Sequence, residues 1–227
     1  LRLIKVIDNV DWYSVLMKKL QTKTFFQKKG SSDCGPISTQ IILDYFGIKK
    51  TEVELKEKIL YENGATYLYD NGLLILREGL NVTLVTANLL LFRKEDQGKL
   101  GIKEDLFKHI SKYARKRPKK KNAIRLFKDF VNHGGKVKIE VPTLNHIKEA
   151  IDKNKLVLAM VYARALGVHE GGLHFIVVSG YKKGYVHINN PLPGSTSGWF
   201  PVDDFMYALY SSTCFEVDNG SLLIVGK

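Results

Sequence analysis

A chain of 227 residues with 44% apolar content and a net charge of +12 is long enough for one large domain, or one domain carrying a sizeable insertion. Its composition excludes wholesale disorder, and no apolar run reaches the ~18 residues that a membrane-spanning helix needs. Two cysteines, Cys34 and Cys214, exclude a disulfide framework and a metal site built from four cysteines. The basic charge is local: residues 93–138 hold 16 Lys and Arg against 5 Asp and Glu, which supplies +11, and the remainder is nearly neutral. The chain begins at Leu1 rather than Met. That start is expected of a processed or trimmed N-terminus, so the loss of a signal peptide stays open; the expected location is cytoplasmic.

In chain order, a short helix is expected near Trp12 to Gln21, followed by a polar loop through Gly30, Ser31, Ser32 and Asp33. Ile37, Ile41, Ile42 and Tyr45 then recur at helical spacing and Gly47 marks a stop, so a helix is predicted from Cys34 to Phe46 with Pro36 in its first turn. Thr51 followed by Glu54 is a capping-box pattern and predicts a helix to Tyr61. A helix from Tyr69 to Glu78 and a strand from Leu80 to Ala87 come next. Lys103 to Arg115 has helical periodicity, broken at Pro118 and resumed from Ala123 to Asn132, with Gly134 and Gly135 closing it. Residues 93–135 thus read as a basic helical insertion in a single domain spanning 1–227. Beyond it the pattern predicts a strand at Lys136 to Val141, a Thr143-capped helix to Asn154, and strands at Leu156 to Tyr162, His174 to Gly180, Gly184 to Asn189 and Leu222 to Val225. Helices early and strands late indicate an α+β fold.

Cys34 falls at a predicted helix start, where free backbone N–H groups and the helix dipole favour a thiolate; a packing role fits the residue equally well. His174 stands at the head of the apolar strand Phe175-Ile-Val-Val, and Asn190 ends the next strand ahead of Pro191. In an antiparallel hairpin those two positions are neighbours, so Asn190 could orient the imidazole through a ring N–H bond. Taken singly, His174 could be a satisfied core histidine and Asn190 a turn former. Gln27, shortly before Cys34, could aim its amide N–H at a developing oxyanion.

As an ordered set, Gln27…Asp33-Cys34-Gly35-Pro36, Leu173-His174-Phe-Ile-Val-Val-Ser-Gly180-Tyr181 and Val186-His-Ile-Asn-Asn190-Pro191 resembles the papain-like cysteine peptidases of the bacteriocin-processing type, which cut double-glycine leader peptides, and their stand-alone relatives. Asp44-Tyr-Phe-Gly47-Ile, Glu78-Gly79-Leu80-Asn-Val and Pro142-Thr-Leu extend the resemblance over about residues 24–92 and 140–210 and leave the basic segment outside it. The resemblance implies a papain-like fold, with a helical half carrying the nucleophile and a C-terminal antiparallel sheet. It also implies Cys34 as nucleophile, His174 as base and then acid, Asn190 as orienter and Gln27 in the oxyanion hole, with no cofactor and no metal. Two departures stand out. The orienting position is usually Asp in this branch and is Asn here, and the Gln-to-Cys spacing is seven positions, one more than expected.

The implied partner is a peptide or protein substrate, cleaved at a peptide or isopeptide bond through an acyl-enzyme. Acyl transfer to an amine or thiol, and a non-catalytic peptide-binding module, are the alternatives. His109 and His133 are expected to be exposed, His146 to lie at a helix start and His187 to pack; His169 is the rival to His174. Cys214 is expected to be inert. The basic insertion is a solvated face or a contact surface for an anionic partner. Its aromatics fall at helix-core spacing, which makes nucleic acid the less favoured partner and a lid over the cleft the more favoured role.

Overall fold

The computed structural model describes residues 17–62, 64–88, 92, 94–96, 98, 107–108, 110–112, 121–167, 172–195, 197–212 and 220–227. After a two-residue strand β1 (Lys18–Lys19) come α1 (Cys34–Tyr45), α2 (Glu52–Lys56), α3 (Leu68–Arg77), β2 (Asn81–Thr86), α4 (Lys121–Asn132) and β3 (Lys136–Ile139). The second half runs α5 (Leu144–Asp152), β4 (Leu156–Tyr162), β5 (Leu173–Lys182), β6 (Tyr185–Asn189), β7 (Gly198–Pro201), α6 (Val202–Tyr210) and β8 (Leu222–Gly226).

One sheet organises the molecule, in the order β3-β2-β8-β4-β5-β6-β7 with β1 added on β5. Every pairing is antiparallel except β2 with β3. This is an α+β arrangement with helices leading and a mostly antiparallel sheet following. Gly72 of α3 lies against Leu223 of β8 on one face. The next residue, Ile224, points to the opposite face, where it shares a concavity with His146 and Ala150 of α5. Helices on both faces explain why β4 reads Leu-Val-Leu-Ala-Met-Val and is buried throughout that run.

Local chemistry sets the helix ends. Thr51 accepts from the Glu54 N–H and Glu54 caps Thr51 in return. α2 nevertheless stops at Lys56 rather than reaching Tyr61, because the chain turns inward there: the Leu60 N–H is taken by the carboxylate of Asp70 at 2.7 Å. Thr143 caps α5 with His146 in the third helical position, its Nδ1 accepting the Thr143 N–H at 3.0 Å. The expected helix over Trp12 to Gln21 is not found in its described part. From Met17 the chain is extended, since Lys18 and Lys19 pair with Tyr181 and Gly180. Gly180 permits that approach, for a Cβ there would stand 2.8 Å from the Lys18 carbonyl oxygen.

α4 is a core helix. Its stripe of Ala123, Ile124, Phe127 and Phe130 is buried against α3, and the ring of Phe130 fills the space left by Gly72 and Gly135. Each such ring stabilises the fold by about 2–3 kcal/mol through removal from water. Residues 107, 108 and 110–112 are helical; the rest of the helix expected from Lys103 to Arg115, the break at Pro118, His109, His169 and Cys214 lie outside the described residues. β7 and α6 had no counterpart in the sequence reading.

Candidate active site

The loop 27–33 and the first turn of α1 bring Cys34 to the wall of a cavity of about 330 Å³. Gln27, Ser31, Thr66, Met160 and His174 line the same cavity, so three of the four residues singled out in sequence meet there. The fourth, Asn190, is fully buried behind the imidazole: its Oδ1 lies 2.8 Å from Nε2 of His174.

The first turn of α1 is clamped to the head of β5 by Phe175, the residue after His174. Its backbone N–H bonds the Cys34 sulfur and its carbonyl accepts from Ser38 Oγ at 3.2 Å. Gly35 is required for this closeness. A Cβ at that position would stand 2.2 Å from Thr66 Oγ1, within a buried polar cluster in which Thr39 donates to Asn71 and Asn71 donates to Thr66.

The orientation of the Asn190 amide follows from a second partner. The Leu192 N–H donates to the same Oδ1 at 2.9 Å, and a backbone N–H can be received only by the oxygen. Nε2 of His174 is therefore the protonated ring nitrogen, and Nδ1 is the basic one. Nδ2 of Asn190 is buried without a hydrogen-bond partner. Gln27 is tied to the same corner, since its backbone N–H donates to the Pro191 carbonyl at 2.8 Å. Its Nε2 donates to the Ser31 carbonyl at 2.5 Å, while Oε1 is buried without a partner. One amide hydrogen is committed to the loop, which leaves one for a bound group.

Electrostatics correct one expectation. Burial raises the pKa of the Cys34 thiol above its ordinary 9.0, and the Asp33 carboxylate adds to the rise; the backbone N–H groups of Phe175, Gly35 and Cys34 itself oppose it without reversing it. The helix start alone does not produce a thiolate here, because desolvation of the charged sulfur outweighs the donors.

Asp33, one residue before Cys34, is buried and held by Lys56 Nζ at 2.7 Å and Tyr61 Oη at 2.6 Å. Burial pushes its pKa up, but the bonds from Lys56 and Tyr61 prevail and the net shift is downward. Sequence reading placed Asp33 in a polar loop and missed this cluster. Its only local signal was an acid beside the candidate nucleophile, and its partners lie 23 and 28 residues away.

The other histidines have structural places. His187 is buried, bonded through Nδ1 to Ser179 Oγ at 3.0 Å and set edge-on to Trp199; burial, with Lys19 nearby, lowers its pKa to about 4. His146 caps α5, and His133 is exposed with its ring on the Asp129 carbonyl. Cys34 is a free thiol. Among the described residues no group of three or more His, Cys, Asp or Glu is arranged to hold a metal ion, and no helix is long and apolar enough to cross a membrane.

These features sit in a chain that belongs to the Peptidase C39-like family, whose sequence profile matches residues 19–212. Among solved structures, a candidate C39-like peptidase from Bacillus anthracis is similar at 15% identity, covering 93% of this chain and 98% of its own, with a TM-score of 0.47. The peptidase domain of Streptococcus ComA, a bifunctional ABC transporter of a quorum-sensing pathway, is similar at 13% identity, 91% and 98% coverage and a TM-score of 0.47. The double-glycine-motif protease of an AMS/PCAT transporter, solved with its leader peptide, is similar at 13% identity, 92% and 93% coverage and a TM-score of 0.45. Each is a distant likeness, and membership rests on the profile match. No curated protein matches the chain at a significant level.

Proposed function

We infer that this protein is a papain-like cysteine peptidase that cleaves peptide or isopeptide bonds, with Cys34 as nucleophile, His174 as acid and base, Asn190 as orienter and Gln27 as an oxyanion donor. The reading rests chiefly on the His174–Asn190 bond at 2.8 Å, which makes Nδ1 the basic nitrogen on the cavity that Cys34 lines. The thiol starts protonated, so Nδ1 of His174 takes its proton as the sulfur attacks the substrate carbonyl. The developing oxyanion is met by the Cys34 N–H and the second hydrogen of Gln27 Nε2. The tetrahedral species collapses as His174 returns the proton to the leaving amine, giving a thioester on Cys34. Water, deprotonated by His174, then cleaves the thioester and restores the thiol. In this reading residues 1–227 form one domain and residues 93–135 a basic insertion that serves as a lid over the cleft or as a contact surface for an anionic partner.

Digestion of a peptide library tests it. Cleavage that disappears in Cys34→Ala, with a thioester trapped on Cys34 by intact-mass measurement, is the expected result; equal cleavage by Cys34→Ala would sink it. One observation favours the second reading, a non-catalytic peptide-binding module: burial holds the thiol above its ordinary range. Alkylation of Cys34 as a function of pH separates the two.

A further inference from the structure

Beside the catalytic cavity lies a second concavity, of about 320 Å³, lined by Tyr162, Arg164, Ala165, Tyr207 and Ser211. The two share a wall. Residues 162–165 run from the end of β4 into a short 3-10 turn, Ala163–Leu166. Ala163 faces the catalytic cavity, while Tyr162 on one side of it and Arg164 on the other face the second one. The wall is pinned to the head of β5, because the Ala163 N–H donates at 3.0 Å to the carbonyl of Gly172, two residues before His174.

Two properties of this place call for an occupant. Tyr207 is 68% exposed and Tyr162 37%, an uncommon outlay of aromatic surface to water on neighbouring elements, and one that suits contact with a ligand. Arg164 is exposed in the 3-10 turn after β4, and among the described residues no carboxylate lies within ion-pair distance of its guanidinium. A planar guanidinium in a concavity also lined by two tyrosines suits a carboxylate, whose two oxygens its fork can receive together.

We propose that this concavity is a substrate subsite that takes an Asp or Glu side chain of the peptide whose scissile bond lies at Cys34. The proposal rests on the peptidase reading and adds the substrate class: peptides acidic at one position near the cut. Arg164 is its specificity-determining residue, and Tyr162 and Tyr207 supply the walls.

A proteome-derived peptide library is digested with the parent protein, Arg164→Ala and Arg164→Glu, and the new ends are read by mass spectrometry. The parent's cut sites are expected to be enriched about fivefold for Asp or Glu at one fixed position. Arg164→Ala loses that enrichment, and Arg164→Glu selects Lys or Arg there, while iodoacetamide modifies Cys34 at the parent rate in all three. Enrichment for aromatic residues instead, or a preference that Arg164→Glu leaves unchanged, overturns the subsite. Absence of any cleavage counts against the peptidase reading, and the subsite is then decided by binding. Fluorescein-labelled octapeptide pools with Glu, Gln or Lys at the central position are titrated into Cys34→Ala protein. About fivefold tighter binding of the Glu pool, reversed in favour of Lys by adding Arg164→Glu, supports the subsite; equal binding of the three pools overturns it.

Discussion

Oδ1 of Asn190 receives Nε2–H of His174 at 2.8 Å, and the same oxygen receives the Leu192 N–H at 2.9 Å. A backbone donor thus settles the tautomer of the imidazole from behind, and the amide that does so carries no charge.

The neutral orienter sets a pH dependence. In the peptidase reading, His174 must be neutral to accept the thiol proton, so an acid limb of the rate is expected. Asn190→Asp places a carboxylate on Nε2 and stabilises the imidazolium, so that limb moves up by about one pH unit. Asn190→Ala lowers kcat/KM by about 10–100-fold through lost orientation. A pH profile of kcat/KM for both variants checks this, and an acid limb that stays put or moves down in Asn190→Asp contradicts it.

Cys34 itself should reveal its raised thiol pKa. In His174→Ala no base remains to take the proton, and alkylation by iodoacetamide should rise only above the ordinary thiol value of 9.0. At pH 7 the parent should react at least about tenfold faster than His174→Ala. Equal rates at pH 7 would show that the two residues do not act as a pair.

The Asp33 cluster makes a contribution to stability with a definite sign. The folded pKa of Asp33 is depressed, so the ionised group stabilises the fold above the unfolded carboxylate pKa of about 3.9, and that stability is lost as pH falls through the lower folded value. Lys56→Met leaves a buried carboxylate without its cation and should cost about 1–2 kcal/mol near pH 7, discounted because the Lys56 side chain is 39% exposed. Urea denaturation at pH 7 and pH 3 reads it. The loss should shrink at the lower pH, and a loss equal at both would assign it to packing.

Asp70 works in the opposite direction. Burial pushes its pKa up to about 6 from 3.8, so the folded state binds the extra proton and stability falls as pH rises from about 4 to 6. Asp70→Asn keeps an oxygen for the Leu60 N–H and removes the cost of ionisation, which is at most about 3 kcal/mol above pH 6. Denaturation midpoints should rise at pH 7.5 and hardly change at pH 4; a lower midpoint at pH 7.5 would refute this assignment.

Gly35→Ala should damage both stability and activity, since its Cβ would meet Thr66 Oγ1 at 2.2 Å. A loss of about 2 kcal/mol or more is expected, partly recovered in Gly35→Ala/Thr66→Ala, where the colliding oxygen is gone. Failure of the second substitution to recover anything would place the strain elsewhere.

How much of this was legible without coordinates depended on the range of the interaction. The helix at Cys34, the cap at Thr51, the strand Leu156–Tyr162 and the hairpin carrying His174 and Asn190 follow from periodicities and turn residues within about fifteen positions of each other. The end of α2 did not, because an Asp70 carboxylate fourteen residues beyond Lys56 captures the Leu60 N–H. β1 did not either, since Lys18 and Lys19 have weak strand propensity and are extended only because β5 offers an edge with Gly180 in it.

By itself, then, the amino-acid order determined the α+β layout through local pattern, and the candidates Gln27, Cys34, His174 and Asn190 through their order along the chain and the family resemblance that this order carries. Only the tertiary structure decided the upward shift of the Cys34 thiol, the tautomer of His174, the enclosure of Asp33 by Lys56 and Tyr61, and the second concavity at Arg164. Those depend on desolvation and on partners distant in the chain, and both arise only once the sheet has gathered them.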